Sequence, residues 1–288
     1  MNLLLLLHRV NKIIKCLTNS YFSGIIELKG STGGLDELKA ALLASRGFAT
    51  LALAYFGYDD LPHDISSLIL DVDYFEEAAD WLLRHPQVNS NFGLGLVGIS
   101  LGAEMAMHLA ALRKDVKVVV CNSPPQLNVL FPVNVKGKIC KCQEIQPNLI
   151  KIEDNVSLVL RDCFSPVPVD QDISEGRIPV ENIDAPMLLL CGAGDKNMSQ
   201  PEYCWRIHET MENHGKGSQC SVVVYPDAGH VIDVPYFPNI PQVFHGQYKV
   251  YVAYGGETKA HAYAQIDAWC KTLQFLQKNF VGLQTAYL

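Results

Sequence analysis

Short, nearly continuous apolar runs alternate with amphipathic stretches along most of the 288 residues of this chain. Such runs are typical of parallel strands covered on both faces, and each stretch between them is long enough for a helix. The pattern predicts an α/β fold with a mostly parallel central sheet and helices on both faces. Strands are expected at residues 24–28, 48–54, 93–97, 116–121, 187–191 and 220–225, and helices at 35–46, 66–83, 101–113, 201–214 and 260–280.

The alternation breaks down in a proline-rich stretch at residues 124–183. A long irregular insertion at the carboxyl edge of a sheet is commonly a lid or a substrate wall, and we expect one here. The alternative is that this insertion has no function. Since the remaining pattern uses nearly all of the chain, we predict one domain over residues 22–288, preceded by a leader of uncertain structure at residues 1–21.

Composition excludes several classes of protein. Hydrophobic residues make up 49% of the chain and charged residues 18%, which is typical of a globular protein and not of a disordered one. The net charge is −7, and the sequence has no basic stripe that could neutralise the phosphates of a nucleic acid. No apolar run reaches the roughly 18 residues that a membrane span needs. We therefore expect a globular protein, taken as a monomer, that neither binds nucleic acid nor spans a membrane.

The nine cysteines are odd in number and scattered, which indicates reduced thiols rather than a disulfide framework. Cys140 and Cys142 form a C-x-C without a second pair at zinc-site spacing, so they are interpreted as alternate residues of one strand. Neither a metal ion nor a cofactor is predicted.

The leader contains five leucines followed by Arg9, Lys12 and Lys15. This order of apolar and charged residues is the reverse of a secretory signal peptide. A mitochondrial presequence fits the charges better, although serine and arginine are sparse. The C-terminal residues 286–288, AYL, do not match the peroxisomal Ser-Lys-Leu signal. A cytoplasmic location is predicted, with mitochondrial and peroxisomal locations as alternatives.

The most specific local motif is GISLG at residues 98–102, which follows a predicted strand and opens a predicted helix. In this context a G-x-S-x-G sequence is typical of a nucleophile elbow, in which a strained turn lifts the hydroxyl of Ser100 above the sheet. The backbone N–H of Leu101, at the helix N-terminus, can then donate to an oxyanion. The alternative is that Ser100 only caps the helix, with Glu104 in its first turn.

A serine nucleophile needs a general base and a carboxylate that orients this base. Elbow-containing hydrolases have the chain order serine, acid, histidine. Asp195 closely follows the strand at 187–191, and His230 follows the strand at 220–225. We predict a triad of Ser100, Asp195 and His230. Asp227 is the rival acid, Asp195 being a turn cap in that case, and His245 and His261 are the weaker candidates for the base.

A second oxyanion donor is expected in the glycine-rich loop KGSTGG at residues 29–34, which follows the first predicted strand. Glycines allow backbone N–H groups to approach a carbonyl oxygen closely. We assign the oxyanion hole to Leu101, Gly33 and Gly34. The competing interpretation, a phosphate-binding loop, does not meet the G-x-x-x-x-G-K-[ST] pattern.

Several further strings are together more specific than the pentapeptide. They are ALAY at 52–55, DLP at 60–62, DYFEEA at 73–78, GISLGAE at 98–104, YFP at 236–238, GGE at 255–257 and AHAYAQ at 260–265. Over about residues 22–280 the chain resembles the acyl-CoA thioesterases related to bile acid-CoA:amino acid N-acyltransferase.

This resemblance implies an α/β-hydrolase fold with an insertion between nucleophile and acid. It also implies a serine-dependent thioesterase that hydrolyses fatty acyl-CoA, with Ser100, Asp195 and His230 at the family's triad positions. The nucleophile of the family's amino acid transferases is typically cysteine, so Ser100 favours hydrolysis. Two alternatives remain, a glycine or taurine N-acyltransferase and a catalytically silent acyl-CoA-binding protein. The latter is motivated by the family's usual N-terminal β-sandwich domain, in whose place residues 1–21 stand.

Overall fold

The computed structural model describes the backbone of residues 12–14, and the backbone and side chains of residues 21–164, 176–246 and 248–280. In chain order its strands are β1 (Lys12–Ile14), β2 (Ser23–Leu28), β3 (Phe48–Leu53), β4 (Leu70–Asp71), β5 (Leu94–Ile99), β6 (Val116–Asn122), β7 (Val133–Val135), β8 (Lys138–Cys140), β9 (Lys151–Glu153), β10 (Ser157–Val159), β11 (Met187–Gly192), β12 (Cys220–Tyr225), β13 (Gln242–His245) and β14 (Val250–Ala253). The α-helices of the described residues are α1 (Glu37–Ala44), α2 (Val72–Leu83), α3 (Leu101–Leu112), α4 (Glu202–Asn213) and α5 (Thr258–Asn279).

Seven strands form the central sheet, in the spatial order β1-β3-β2-β5-β6-β11-β12. Every neighbouring pair is parallel except β1 and β3, which are antiparallel. Strands β2, β3, β5 and β11 are buried at every residue, which explains their continuous apolar sequences. The predicted α/β class with a mostly parallel sheet is confirmed.

Helices cover both faces of this sheet. Adjacent residues of a strand point to opposite faces, and Ile26 and Ile25 of β2 accordingly belong to two different apolar clusters. Helices α2, α3 and α4 pack in the cluster of Ile26, and α1 and α5 in that of Ile25. Within the described part of the chain, no helix combines the length and apolarity needed to cross a membrane.

The largest error of the sequence prediction is the helix expected at residues 66–83. Helix α2 begins only at Val72, because the Asp71 carboxylate caps it by accepting the Asp73 N–H at 3.0 Å. Leu70 lies before the cap and pairs with Val133 of β7. The predicted apolar stripe through Leu70 and Tyr74 is therefore displaced, and Val72, Phe75, Ala78, Ala79 and Leu82 are the buried residues of the helix.

The insertion at residues 124–183 contains the hairpin β7–β8 and the strands β9 and β10. Strands β9 and β10 join β13 and β14 in a separate four-stranded sheet with the order β13-β14-β10-β9, which we call the lid sheet. The insertion is thus paired with the segment that follows the predicted catalytic histidine. Residues 165–175, with two of the prolines that mark the insertion, lie outside the described residues.

Part of the predicted leader belongs to the central sheet. The backbone of Lys12–Ile14 pairs with β3 in antiparallel register, Lys12 opposite Ala52. No strand was expected there from the sequence. Residues 1–11 and 15–20, which carry the leucine run and two of the three basic residues on which the targeting argument rested, lie outside the described residues.

A buried charge cluster joins α1, β2 and the loop after β12. The Lys39 ammonium lies 3.6 Å from Glu27, 3.3 Å from Asp36 and 3.2 Å from Asp233. Glu27 is only 1% exposed. Burial raises the pKa of its carboxyl from 4.5 to about 8, against the opposing attraction of Lys39. Glu27 is therefore protonated in the folded protein at neutral pH.

This cluster predicts a pH-dependent stability. Unfolded Glu27 ionises near pH 4.5 and folded Glu27 near pH 8, so between these values the folded state holds one more proton than the unfolded state. The contribution of Glu27 to the free energy of unfolding should fall as pH rises through this window. We expect Glu27→Gln to be more stable relative to wild type at pH 8 than at pH 5, measured by urea denaturation. Glu77→Gln, at an exposed position of α2, should show no such trend.

Candidate active site

Ser100 lies in the turn between β5 and α3 with a strained backbone. Its φ of 55° and ψ of −121° fall where non-glycine residues are uncommon. The turn is held by the Ser100 N–H, which donates to the Asn122 carbonyl of β6 at 2.8 Å. The side chain makes no capping hydrogen bond to α3, so the alternative that Ser100 is only an N-cap is wrong.

The two glycines of the motif are required by close packing of strand and helix. A β-carbon at Gly98 would lie 2.3 Å from the Gly102 carbonyl oxygen, and one at Gly102 would lie 2.1 Å from the Leu28 carbonyl oxygen. Both contacts are with backbone atoms that cannot rotate away. The pentapeptide therefore lets α3 approach β2 and β5 closely enough to form the sharp turn.

The structure brings together the three side chains of the predicted triad. The Ser100 hydroxyl donates to His230 Nε2 at 3.0 Å, and His230 Nδ1–H donates to Asp195 Oδ2 at 2.6 Å. Ser100 is 5% exposed, His230 1% and Asp195 0%. In this arrangement the imidazole can accept the serine proton while the carboxylate orients its ring. The catalytic roles remain predictions.

Asp195 is fixed in the turn after β11. Its Oδ1 accepts the backbone N–H groups of Asn197 and Met198 at 2.7 and 3.0 Å. The Arg161 guanidinium, from the insertion, donates to the Asp195 carbonyl oxygen at 2.8 Å. The rival acid Asp227 is exposed, and its backbone carbonyl oxygen accepts the Glu257 N–H at 2.8 Å. The carboxylate beside the histidine is therefore that of Asp195.

The two weaker histidine candidates lie near His230 but make other bonds. His245 of β13 bonds through Nε2 with the Tyr254 hydroxyl at 3.0 Å, and burial lowers its pKa. The ring of Tyr254 packs edge-on against His230, with centroids 5.0 Å apart. His261, at the start of α5, bonds to the backbone on both sides of His230. Neither side chain takes the place of His230 beside Ser100.

The assignment of Gly33 and Gly34 to the oxyanion hole is contradicted. The Gly33 N–H donates to the Gly30 carbonyl and the Gly34 N–H to the Phe56 carbonyl, each at 3.1 Å, so both donors are used within the fold. Gly30 of the same loop approaches the nucleophile closely, since a β-carbon there would lie 3.4 Å from Ser100 Cβ. The backbone at Gly30 and at the N-terminus of α3 therefore lies near Ser100.

A largely apolar cavity of about 670 Å³ adjoins this site. Its size is within the range of cavities that bind drug-sized ligands. Ser31 of the glycine-rich loop lines it, as does Asn197 of the turn after β11, whose N–H binds Asp195, so the cavity lies beside the triad. Aliphatic side chains of the insertion, this turn and the lid sheet form most of the wall, among them Leu130, Ile150, Leu158, Leu160, Met198 and Val252.

Within the described ranges, no group of three or more histidine, cysteine, aspartate or glutamate side chains could hold a metal ion. Cys140 ends β8, and Cys142 lies beyond the strand and lines the cavity, so the two are not alternate residues of one strand as expected.

The central sheet, the elbow after β5 and the turns after β11 and β12 define an α/β-hydrolase fold. A solved dienelactone hydrolase-like phosphotriesterase from metagenomic libraries agrees with this class. It superimposes with a TM-score of 0.56 at 15% identity, over 91% of this chain and 89% of that one. At this identity the likeness shows the fold alone.

The sequence places the chain more narrowly. It belongs to the BAAT/acyl-CoA thioester hydrolase C-terminal family, whose profile matches residues 70–282. Human acyl-coenzyme A thioesterase 6 is 35% identical over 91% of this chain. Rat acyl-coenzyme A amino acid N-acyltransferase 2 is 34% identical over 90%. The match spans 61% of the length of each relative. The resemblance noted in the sequence is confirmed.

Proposed function

We propose that this chain hydrolyses fatty acyl-CoA thioesters through Ser100, His230 and Asp195. The observation that carries the proposal is the hydrogen-bonded series from the Ser100 hydroxyl through His230 to Asp195, beside an apolar cavity. Family membership supports the thioester as the substrate class, since a relative is named an acyl-CoA thioesterase. The cavity supports an aliphatic acyl group.

In the first half-reaction His230 Nε2 takes the proton of Ser100 as Oγ attacks the thioester carbonyl carbon. The tetrahedral oxyanion accepts hydrogen bonds from the Leu101 N–H at the start of α3 and, we propose, from the Ser31 N–H, which replaces Gly33 and Gly34 as the second donor. Collapse of this intermediate breaks the carbon–sulfur bond. His230 gives its proton to the departing CoA thiolate, and the acyl group remains on Ser100 as an ester.

In the second half-reaction His230 removes a proton from a water molecule, which attacks the acyl-serine. The second tetrahedral intermediate releases the fatty acid and returns the proton to Ser100 Oγ. The Asp195 carboxylate stabilises the imidazolium that forms in both halves, since it accepts the hydrogen bond from His230 Nδ1–H. No cofactor enters these steps.

A product-resolved assay tests this function. Purified protein is incubated with saturated acyl-CoAs of graded chain length, with and without glycine or taurine. Hydrolysis predicts free fatty acid and CoA in equal amounts, unaffected by either amino acid. Formation of an N-acyl amino acid would favour the transferase activity named for the rat relative. Binding of acyl-CoA without any product would favour the catalytically silent alternative.

The cavity predicts an effect of chain length. Leu158 of β10 lines it, and Leu158→Trp should fill part of the space. Exclusion of about two methylenes, each worth about 0.8 kcal/mol when buried, lowers kcat/KM about tenfold. We expect this loss with a long acyl chain and little change with a short one, measured as CoA release. Val159→Trp, on the opposite face of the strand, is the matched control. An equal loss at all chain lengths would contradict this cavity as the acyl site.

Location and assembly remain predictions. A cytoplasmic monomer is proposed, and the eight cysteines of the described residues, all free, fit a reducing compartment. Fractionation with antibodies against the protein tests the location.

A further inference from the structure

The loop that carries His230 is held by bonds to its backbone. The His230 N–H donates to the Tyr254 carbonyl oxygen at 2.9 Å. The His230 carbonyl oxygen accepts the Ser123 hydroxyl at 2.6 Å. These bonds fix the residue itself, but the ring direction also depends on the two peptide units that flank it.

Both flanking residues are bound by one side chain, His261. It lies in the first turn of α5 and is 2% exposed. Its Nδ1 accepts the Gly229 N–H at 3.0 Å, and its Nε2 donates to the Val231 carbonyl oxygen at 2.8 Å. A β-carbon at Gly229 would lie 2.3 Å from the Gly255 carbonyl oxygen, so the backbone is tightly confined on this side as well.

The chemistry of these two partners determines the protonation of the ring. A backbone N–H can only donate and a carbonyl oxygen can only accept, so His261 must be neutral with its proton on Nε2. His230 has the opposite arrangement, because its Nδ1–H donates to Asp195. His230 is thus a donor at Nδ1, and His261 is an acceptor at Nδ1.

We propose that His261 is a positioning residue, which fixes the backbone on both sides of His230 and does so only as the neutral Nε2–H tautomer. The inference rests on the proposed function, since it concerns the geometry of the proposed base. Its bonds go to backbone atoms, so His261 orients His230 and takes no part in proton transfer. A misplacement of about 1 Å at a catalytic group can cost about 10²-fold in rate.

The charged and titratable groups around His261 bear on its protonation. Asp233 attracts a proton to the ring but is itself paired with Lys39 at 3.2 Å. Glu257 lies one turn before His261, at the exposed start of α5. Asp227, whose carbonyl oxygen accepts the Glu257 N–H, is exposed as well. His230 lies in the loop between Gly229 and Val231, the two residues that His261 binds. Burial lowers the pKa of His261 below its ordinary value, which favours the neutral ring.

Acidification should therefore break the hydrogen bond between the Gly229 N–H and His261 Nδ1. A proton on Nδ1 would face the Gly229 N–H, and the two donors would repel each other. Protonation of His261 should then add to the loss of activity on the acid side. The acid limb of the wild-type rate profile is expected to be steeper than that of a variant without this imidazole.

The first test uses the wild-type chain. Protein labelled with ¹⁵N-histidine is examined by NMR at pH 7.5, with resonances assigned by loss in His261→Gln and His230→Gln. Neutral rings are expected, with the proton on Nε2 in His261 and on Nδ1 in His230. A protonated His261, or one with its proton on Nδ1, would overturn the proposal.

The second test measures rates. In His261→Gln the amide keeps one donor and one acceptor, but they sit on a flexible chain and not on a rigid ring, so the bonds to Gly229 and Val231 should be weakened. We expect kcat for acyl-CoA to fall about 10²-fold with KM changed by less than about threefold, and the acid limb to become less steep than that of wild type. His214→Gln, at the exposed end of α4, should behave as wild type. Wild-type kcat and an unchanged acid limb in His261→Gln would refute the inference.

Failure of the proposed function is recognised separately. A fluorophosphonate that labels Ser100 reports an activated serine independently of acyl-CoA turnover. If wild type is neither labelled nor active, the proposed function fails. If wild type is active and only the His261→Gln prediction is missed, the positioning role fails. If circular dichroism shows that His261→Gln does not fold, the tautomers measured in the wild-type protein decide whether the positioning role holds. The resonances are then assigned from the His230→Gln spectrum and from the hydrogen bond of His261 to Val231.

Discussion

Ser100→Ala is expected to lower kcat for acyl-CoA hydrolysis by about 10⁴-fold or more, by analogy with other serine triads. The substitution removes the atom that forms the acyl ester and leaves His230 and the oxyanion donors in place. The alanine methyl group fits where the serine side chain lay, although the strained φ of 55° persists. Release of CoA, followed with a thiol reagent, measures the effect.

The matched control is Ser221→Ala, at an exposed position of β12. It should retain wild-type kcat and KM. Circular dichroism and thermal melting should show that both variants are folded. Activity of Ser100→Ala within tenfold of wild type would refute the assignment of the nucleophile.

Asp195→Asn is expected to lower kcat by about 10⁴-fold with little loss of substrate binding. The amide NH₂ of asparagine would face His230 Nδ1, which would then have to accept a hydrogen bond. The ring proton would move to Nε2, where it faces Ser100 Oγ and prevents acceptance of the serine proton. The pH dependence of the residual rate should therefore differ from that of the wild-type rate.

Asp227→Asn provides the comparison, because Asp227 is the rival candidate for the acid. Its side chain is exposed, and its φ of 57° is a conformation that asparagine tolerates. Turnover should be unchanged. A large loss in Asp227→Asn with near-normal activity in Asp195→Asn would reverse the assignment of the acid.

The sheet and the triad positions were predictable because buried parallel strands have continuous apolar sequences. Ser100, Asp195 and His230 follow three such strands, β5, β11 and β12, and the carboxyl ends of parallel strands lie at one edge of the sheet. The structure places all three where this rule requires. Continuous apolar runs and the sequence of the elbow turn were sufficient for this part.

The lid sheet was not predictable in this way. Strands β9 and β10 have three residues each, too few for a period-two pattern, and Ser157 of β10 pairs with Tyr251 of β14 far along the chain. Such pairing depends on tertiary contacts and not on local propensity. The apolar cavity, which this sheet helps to form, was therefore predicted only as an unspecified substrate wall.

The glycine-rich loop at residues 29–34 shows a different limit of sequence-based prediction. Its glycines indicated a close approach of backbone to ligand, but they did not reveal which N–H groups are free. The Gly34 N–H is taken by the carbonyl of Phe56, which lies after β3. The N–H groups of a glycine-rich turn can thus be hydrogen-bonded to a neighbouring segment that the sequence of the turn does not reveal. His261 was likewise seen only as a rival base, since its two backbone partners lie in another loop.

If Ser100 is the residue that is acylated during turnover, a fluorophosphonate should react with it, and mass spectrometry detects the product. Folded wild-type protein is treated with a fluorophosphonate, digested and mapped, with and without a long-chain acyl-CoA. We expect one adduct, on Ser100, whose formation is slowed by the acyl-CoA and absent in Ser100→Ala. An adduct at another residue, or none on folded and active protein, would contradict it.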